Sequence, residues 1–202
     1  MTLPSSIELA LRQLRVTREQ AALEFHQAVI GDGAVSCQRG CSNCCHYPLY
    51  ISVLEGILVY QWLADNRLWV QGLRERFLEA ARQTWRLSIQ TWMLSNAPCP
   101  LLDDDQLCRA YKGRPLYCRT AYSRGEPHFC HPHRFLQADS LVARHEPTAA
   151  MAEAEATMLK KLRLKRMLLP FAPSVLYGEC VCKGLFDLRE ADSLTLEAHR
   201  PW

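Results

Sequence analysis

Cys37-Gln38-Arg39-Gly40-Cys41-Ser42-Asn43-Cys44-Cys45 places four thiols within nine residues. Short loops between thiols turn the side chains inward, and Gly40 frees the backbone to make the turn. Donors at this spacing can surround a metal. Working outward, the flanks read as helix. Ser5 or Ser6 caps a first helix that runs to about Ile30, with Leu11, Leu14, Ala21, Ala22 and Phe25 at helical spacing. Gly31-Asp32-Gly33 ends it. Downstream, Ser52-Val53-Leu54-Glu55 has the form of a capping box leading into a helix that carries Leu58, Trp62 and Leu63. A further helix is expected from Leu68 to Ser95, on Leu73, Phe77, Ala81, Trp85 and Trp92. No run alternates with a period of two, so little sheet is expected.

The texture changes from Ala97 to about Arg134. Prolines, three aspartates in a row and four cysteines occupy a segment of weak periodicity, long for a plain loop. Its thiols are Cys99, Cys108, Cys118 and Cys130. Together with Cys37, Cys41, Cys44 and Cys45 they make eight candidate ligands in two groups of four, and thiolates favour zinc and iron–sulfur centres. Neighbouring side chains tend to diverge, so either one of Cys44 and Cys45 is a non-ligand or the two serve different metals. Near Pro147 a helix resumes and runs to about Leu169, where Pro170 and Pro173 close it. The tail after Gly178 has no clear pattern.

Composition bounds the class. The chain has 202 residues, 49% hydrophobic and 22% charged, which argues against disorder. A net charge of +3 gives no argument for nucleic acid. Ten cysteines are the one departure. Met1 to Glu8 lacks a basic region followed by an apolar run, so no signal peptide is expected. Ile51 to Leu63 contains Glu55 and is too short to span a bilayer. A soluble cytoplasmic protein follows, and in a reducing compartment clustered cysteines are metal ligands or redox groups rather than disulfides.

Cys37-x-x-Gly40-Cys41-x-x-Cys44-Cys45, followed by Cys99-Pro100-Leu101-Leu102, Cys108, Tyr111, Arg114-Pro115 and Cys118-Arg119, resembles the YkgJ-type cysteine-cluster family, also called the CxxCxxCC or zinc/iron-chelating domain family. The resemblance spans about Cys37 to Cys130. Three residues separate Cys37 from Cys41, one more than in the shortest signature, and a long helical insert divides the two halves. The resemblance implies metal or iron–sulfur binding. The family includes a flagellin lysine N-methylase, so it also admits a methyl-transfer or redox role by analogy.

Other residues compete for roles. His128, His131 and His133 flank Cys130, and His46 follows Cys45. Each could replace a thiolate at zinc or at one iron, or could be a spare imidazole on an exposed loop. Arg114 and Arg119 lie beside Cys118 and either offset thiolate charge or are solvated. Asp103-Asp104-Asp105 reads as a solvated turn. Lys160, Lys161, Arg163, Lys165 and Arg166 interleave with leucines as the outer face of an amphipathic helix. Cys180 and Cys182 fall outside both groups and are expected to pack rather than ligate. No phosphate loop, G-x-S-x-G or H-E-x-x-H is present.

The expectation is a single domain over residues 1–202, mainly α. A helical bundle surrounds a cysteine-rich, irregular metal-binding centre at about 37–134, with helical N- and C-terminal extensions. The cofactor is an iron–sulfur cluster of [4Fe–4S] type or Zn2+. Three functions compete: a structural or accessory metal site serving a protein partner, an iron–sulfur redox or methyl-transfer enzyme, and a metal carrier.

Overall fold

The computed structural model describes residues 3–31, 37, 40–123, 142–144, 148–190 and 193–202. The chain is mainly helical, as expected. Its elements are α1 (Ser5–Gly31), a 3-10 turn (Asn43–His46), β1 (Tyr50–Ser52), α2 (Val53–Asp65), α3 (Gln71–Thr84), α4 (Ile89–Ser95), α5 (Leu116–Arg119), β2 (Ala121–Ser123), β3 (Val142–Arg144), α6 (Thr148–Leu162), β4 (Leu168–Pro170), α7 (Phe171–Cys182), a 3-10 turn (Leu188–Glu190) and α8 (Ser193–Ala198). Two short antiparallel pairs, β1 with β4 and β2 with β3, are the sheet among the described residues.

Two apolar clusters form around α2 and α7. In one, Leu11 and Leu14 of α1 meet Leu54 and Leu58 of α2, Leu159 of α6 and Tyr177 of α7. In the other, Val59 and Leu63 of α2 meet Leu73 and Phe77 of α3, Val175 and Leu176 of α7, and Leu101 and Ala110 of the cysteine segment. The α2–α7 crossing is unusually close. A Cβ on Gly56 would stand 2.2 Å from the Ser174 carbonyl oxygen, and one on Gly178 would stand 2.8 Å from the backbone nitrogen of Ile57. Glycine here removes the atom that would hold the helices apart.

Several helix boundaries differ from the sequence reading. The Leu68–Ser95 helix is two helices. Arg86 adopts φ 66° after α3, and Ser88 caps α4 by accepting from the Thr91 N–H at 3.0 Å. The Pro147–Leu169 helix stops at Leu162. Arg163 takes φ 54°, its N–H reaches the Lys160 carbonyl, and the Leu164 N–H reaches that of Leu159 at 2.8 Å. This is a Schellman motif, with Leu164 and Leu159 both buried in the first cluster. The same bonds end α2, from Arg67 and Leu68 to Ala64 and Leu63. Arginine in a place usually held by glycine hides these ends from a search for glycine and proline.

The largest correction concerns the tail. Pro170 and Pro173 do not close a helix; they open α7. Pro170 is its N-cap, and Pro173 lies in the first turn, where N–H groups have no intrahelical partner. Almost all of α7 is buried, from Phe171 to Glu179 and at Val181. A helix buried on every side carries no amphipathic period.

The capping box is half formed. Ser52 Oγ accepts from the Glu55 N–H at 3.2 Å. The Glu55 carboxylate instead accepts from the Leu116 N–H at 2.6 Å, tying α5 to α2. Among the described residues no helix is long and apolar enough to cross a membrane.

Candidate metal centre

Backbone hydrogen bonds assemble the cysteine segments. The turn around Cys44 and Cys45 closes through the Cys45 N–H to Ser42 and the Tyr47 N–H to Cys44, at 2.8 and 3.3 Å. The Cys99 N–H then donates to the Cys45 carbonyl at 2.8 Å. Cys99 to Arg109 folds back on itself. Leu102 bridges to Cys108, the Arg109 N–H reaches the Leu101 carbonyl at 2.9 Å, and Asp103 Oδ1 accepts from the Leu107 N–H at 2.7 Å. The aspartate run is thus a turn, with Asp104 and Asp105 exposed. Ser42 Oγ donates to Gln106 Oε1 at 2.8 Å, fastening the first cysteine group to this loop. Leu101, Leu102 and Ala110 are buried, so the loop is anchored by apolar contacts that its weak periodicity conceals.

Seven cysteines line one cavity: Cys37, Cys41, Cys44, Cys45, Cys99, Cys108 and Cys118. Its volume is about 90 Å³, several times the ~10–15 Å³ that one water needs. The remaining wall is largely apolar, including Leu49, Trp92, Leu101, Tyr117 and Phe171. The β1–β4 pair brings part of it there. The Phe171 N–H donates to the Leu49 carbonyl at 2.8 Å, setting the start of α7 beside the cysteine segments.

The donor set suits zinc or iron, since soft thiolates select these metals. Among the described residues no three Cys, His, Asp or Glu side chains converge as ligands of a single ion. The thiols stand around the wall, and holding one ion would need several of them to draw closer together.

Burial opposes the thiolate at most of these positions. It pushes Cys99 up to about 12, and raises Cys108 and Cys118 as well. Cys44 and Cys45 behave as a pair. Their thiols hydrogen-bond each other, which lowers Cys44 to about 7 and raises Cys45. The two side chains therefore meet rather than diverge. Arg114 lines the same cavity, and its charge favours the thiolate at Cys44, Cys108 and Cys118. Arg119 is engaged elsewhere, meeting Glu19 of α1 at 2.6 Å.

The other candidates separate clearly. His46 Nδ1 lies 3.0 Å from the Asn96 carbonyl oxygen, and its ring is not among the cavity's lining groups. Cys130, His128, His131 and His133 lie outside the described residues. Cys180 and Cys182 sit in α7, away from the cavity lining. Cys182 packs against the first apolar cluster. All nine described cysteines are free thiols.

The sequence reading missed the apolar wall and one polar pair. Tyr122 lines the cavity, and its hydroxyl lies 2.7 Å from His26 Nδ1 on α1. Nothing local marks these residues, since each is defined by a partner distant in the chain.

No curated protein and no solved structure matches the chain. A family model does match, over residues 36–146: CxxCxxCC, described as "Putative zinc- or iron-chelating domain". The matched span begins one residue before Cys37 and takes in all eight candidate ligands, so the chain belongs to the CxxCxxCC family.

Proposed function

We propose that this protein holds zinc or an iron–sulfur cluster in the cysteine-lined cavity, as a structural site or one accessory to a protein partner. Cys37, Cys41, Cys44, Cys45, Cys99, Cys108 and Cys118 are the donors the cavity offers, and Cys130 is the eighth candidate. One observation carries this reading: thiols that are far apart in sequence line the same cavity. Zinc needs only four ligands and little room. The surplus of thiols and the cavity's size favour a cluster, of [4Fe–4S] type, over one zinc ion.

The apolar wall supports a second reading, a redox or methyl-transfer enzyme acting at the centre. A closed structural site has no use for room beside the metal. The chain is read as one domain, because α2 and α7 contribute to both apolar clusters. Free thiols in this number suit a reducing, cytoplasmic setting.

The test is anaerobic purification, metal analysis and a visible absorption spectrum. A brown protein whose absorption bleaches on reduction carries a cluster, and a colourless protein with stoichiometric zinc carries zinc. Trace metal only, with every thiol freely titratable in the native state, would refute both.

A further inference from the structure

Arg114 is the one cation among the described residues lining the cavity. Its position is held from several sides. Nε donates to the Tyr111 carbonyl at 3.0 Å, and the guanidinium carbon stands 3.8 Å from the centroid of the Tyr111 ring. Gly113 lies against the Trp62 indole so closely that a Cβ would come within 2.2 Å of Cδ2. Pro115 follows, buried and with a restricted backbone. Two other cations lie nearby outside the lining, and Arg76 also favours the thiolate at Cys99. Arg119 pairs with Glu19, and Arg76 donates to the Leu102 carbonyl.

A thiolate centre in an apolar wall needs such a charge. When four thiols bind one divalent ion, four protons pass to solvent, no electron moves, and the centre carries a net charge of two minus. In a cavity poor in polar groups that charge is weakly solvated, and a fixed guanidinium offsets it.

We propose that Arg114 is a positioning residue of the metal centre: its guanidinium, held on the Tyr111 ring, offsets the charge of the bound thiolates and sets how tightly metal is retained, while Arg119 takes no part. This rests on the cavity being the metal site.

The test titrates the full-length, anaerobically reduced chain with Zn2+ against a chelator of known affinity. R114Q weakens Zn2+ binding by about tenfold, the lower end for groups that support ligands from outside the coordination shell. R114K keeps the charge but lacks the planar fork that stacks on Tyr111, and loses clearly less affinity than R114Q. R119Q binds as wild type does. An unchanged R114Q overturns the proposal. So does an R114K as weak as R114Q, which would make the role one of packing on Tyr111. An R119Q as weak as R114Q overturns it too, by showing a general charge effect. If R114Q fails to fold by circular dichroism, R114K against wild type decides, and a tenfold loss there overturns the proposal. A wild-type chain that takes up no Zn2+ refutes the zinc form of the metal-site reading, and this proposal with it, before any variant is compared; the cluster form is decided by the metal analysis and spectrum.

Discussion

The backbone N–H of Cys99 donates to the carbonyl of Cys45 at 2.8 Å. Helices α2, α3 and α4 separate the two residues in sequence. The bond joins the cysteine groups through the main chain, so their proximity does not depend on thiol chemistry. Together with the Ser42–Gln106 contact it sets two walls of the cavity against each other.

Replacing a cavity thiol should therefore cost metal more than fold. Cys118→Ser and Cys108→Ser are expected to lose metal and, with it, thermal stability. Metal at 100 times its dissociation constant contributes about 2.7 kcal/mol. For a chain of this size each kcal/mol moves Tm by about 2–4 °C. The double variant Cys180→Ser, Cys182→Ser should keep its metal. Metal analysis and thermal melts of the three proteins check this; metal loss confined to the double variant would reverse the assignment.

Glu55 supports the site through Leu116. Glu55→Ala leaves the buried Leu116 N–H without its acceptor, at about 1–3 kcal/mol. Glu55→Gln retains an acceptor oxygen and should lose less. Urea unfolding separates the two, and hydrogen exchange at Leu116 should accelerate in the alanine variant alone. Equal losses would mean that carboxylate charge, not the hydrogen bond, is what matters.

The α2–α7 crossing should tolerate no added methyl group. Alanine has the higher helix propensity, so exposed Gly→Ala changes in helices usually stabilise. At Gly56 and Gly178 the new Cβ meets backbone, which cannot rotate away. We expect each alanine variant to lose about 1–3 kcal/mol. A gain in denaturation midpoint for either would show that the helices can part at little cost.

Glu179 gives stability a defined pH dependence. It is buried in α7 and accepts from Trp69 Nε1, Arg74 Nε and Lys183 Nζ at 2.9, 2.8 and 2.6 Å. Burial works against its charge, but these hydrogen bonds and the Arg74 charge outweigh it and hold the carboxyl below its ordinary value of 4.5. An acid with a depressed folded pKa stabilises fully above its unfolded pKa, and the contribution disappears as pH falls through the folded value. Glu179→Gln should thus be less stable than wild type at pH 7, by about 1–3 kcal/mol. The gap should start to narrow as pH falls past the unfolded carboxyl value of about 4.3, and close as it falls through the lower folded one. Urea midpoints at pH 7, 5, 4 and 3 measure it, and a gap independent of pH would remove the carboxylate as its source.

Much of the architecture was legible because it depends on near neighbours. Leu11 and Leu14 mark the buried face of α1, and both are core residues. Ser52 caps α2 as its position before Glu55 suggested. The break in Leu68–Ser95 was not legible, since Arg86 at positive φ sits where glycine would have announced it. Nor was α7, whose prolines lie in a first turn that tolerates them and whose buried sides erase the period.

The sequence by itself determined the helical class, the family and the eight candidate thiols, because spacing and residue type are properties of short stretches of chain. Only the tertiary structure decided which groups share a space. Cys37, Cys41, Cys44, Cys45, Cys99, Cys108 and Cys118 line one cavity, Arg114 lines it and Arg119 pairs with Glu19 instead, and Cys180 and Cys182 are not in its lining. These outcomes depend on long-range contacts: the Cys99–Cys45 bond, the Leu116–Glu55 bond and the pairing of β1 with β4. Each joins residues separated by whole helices, and no local pattern encodes where a chain returns to meet itself.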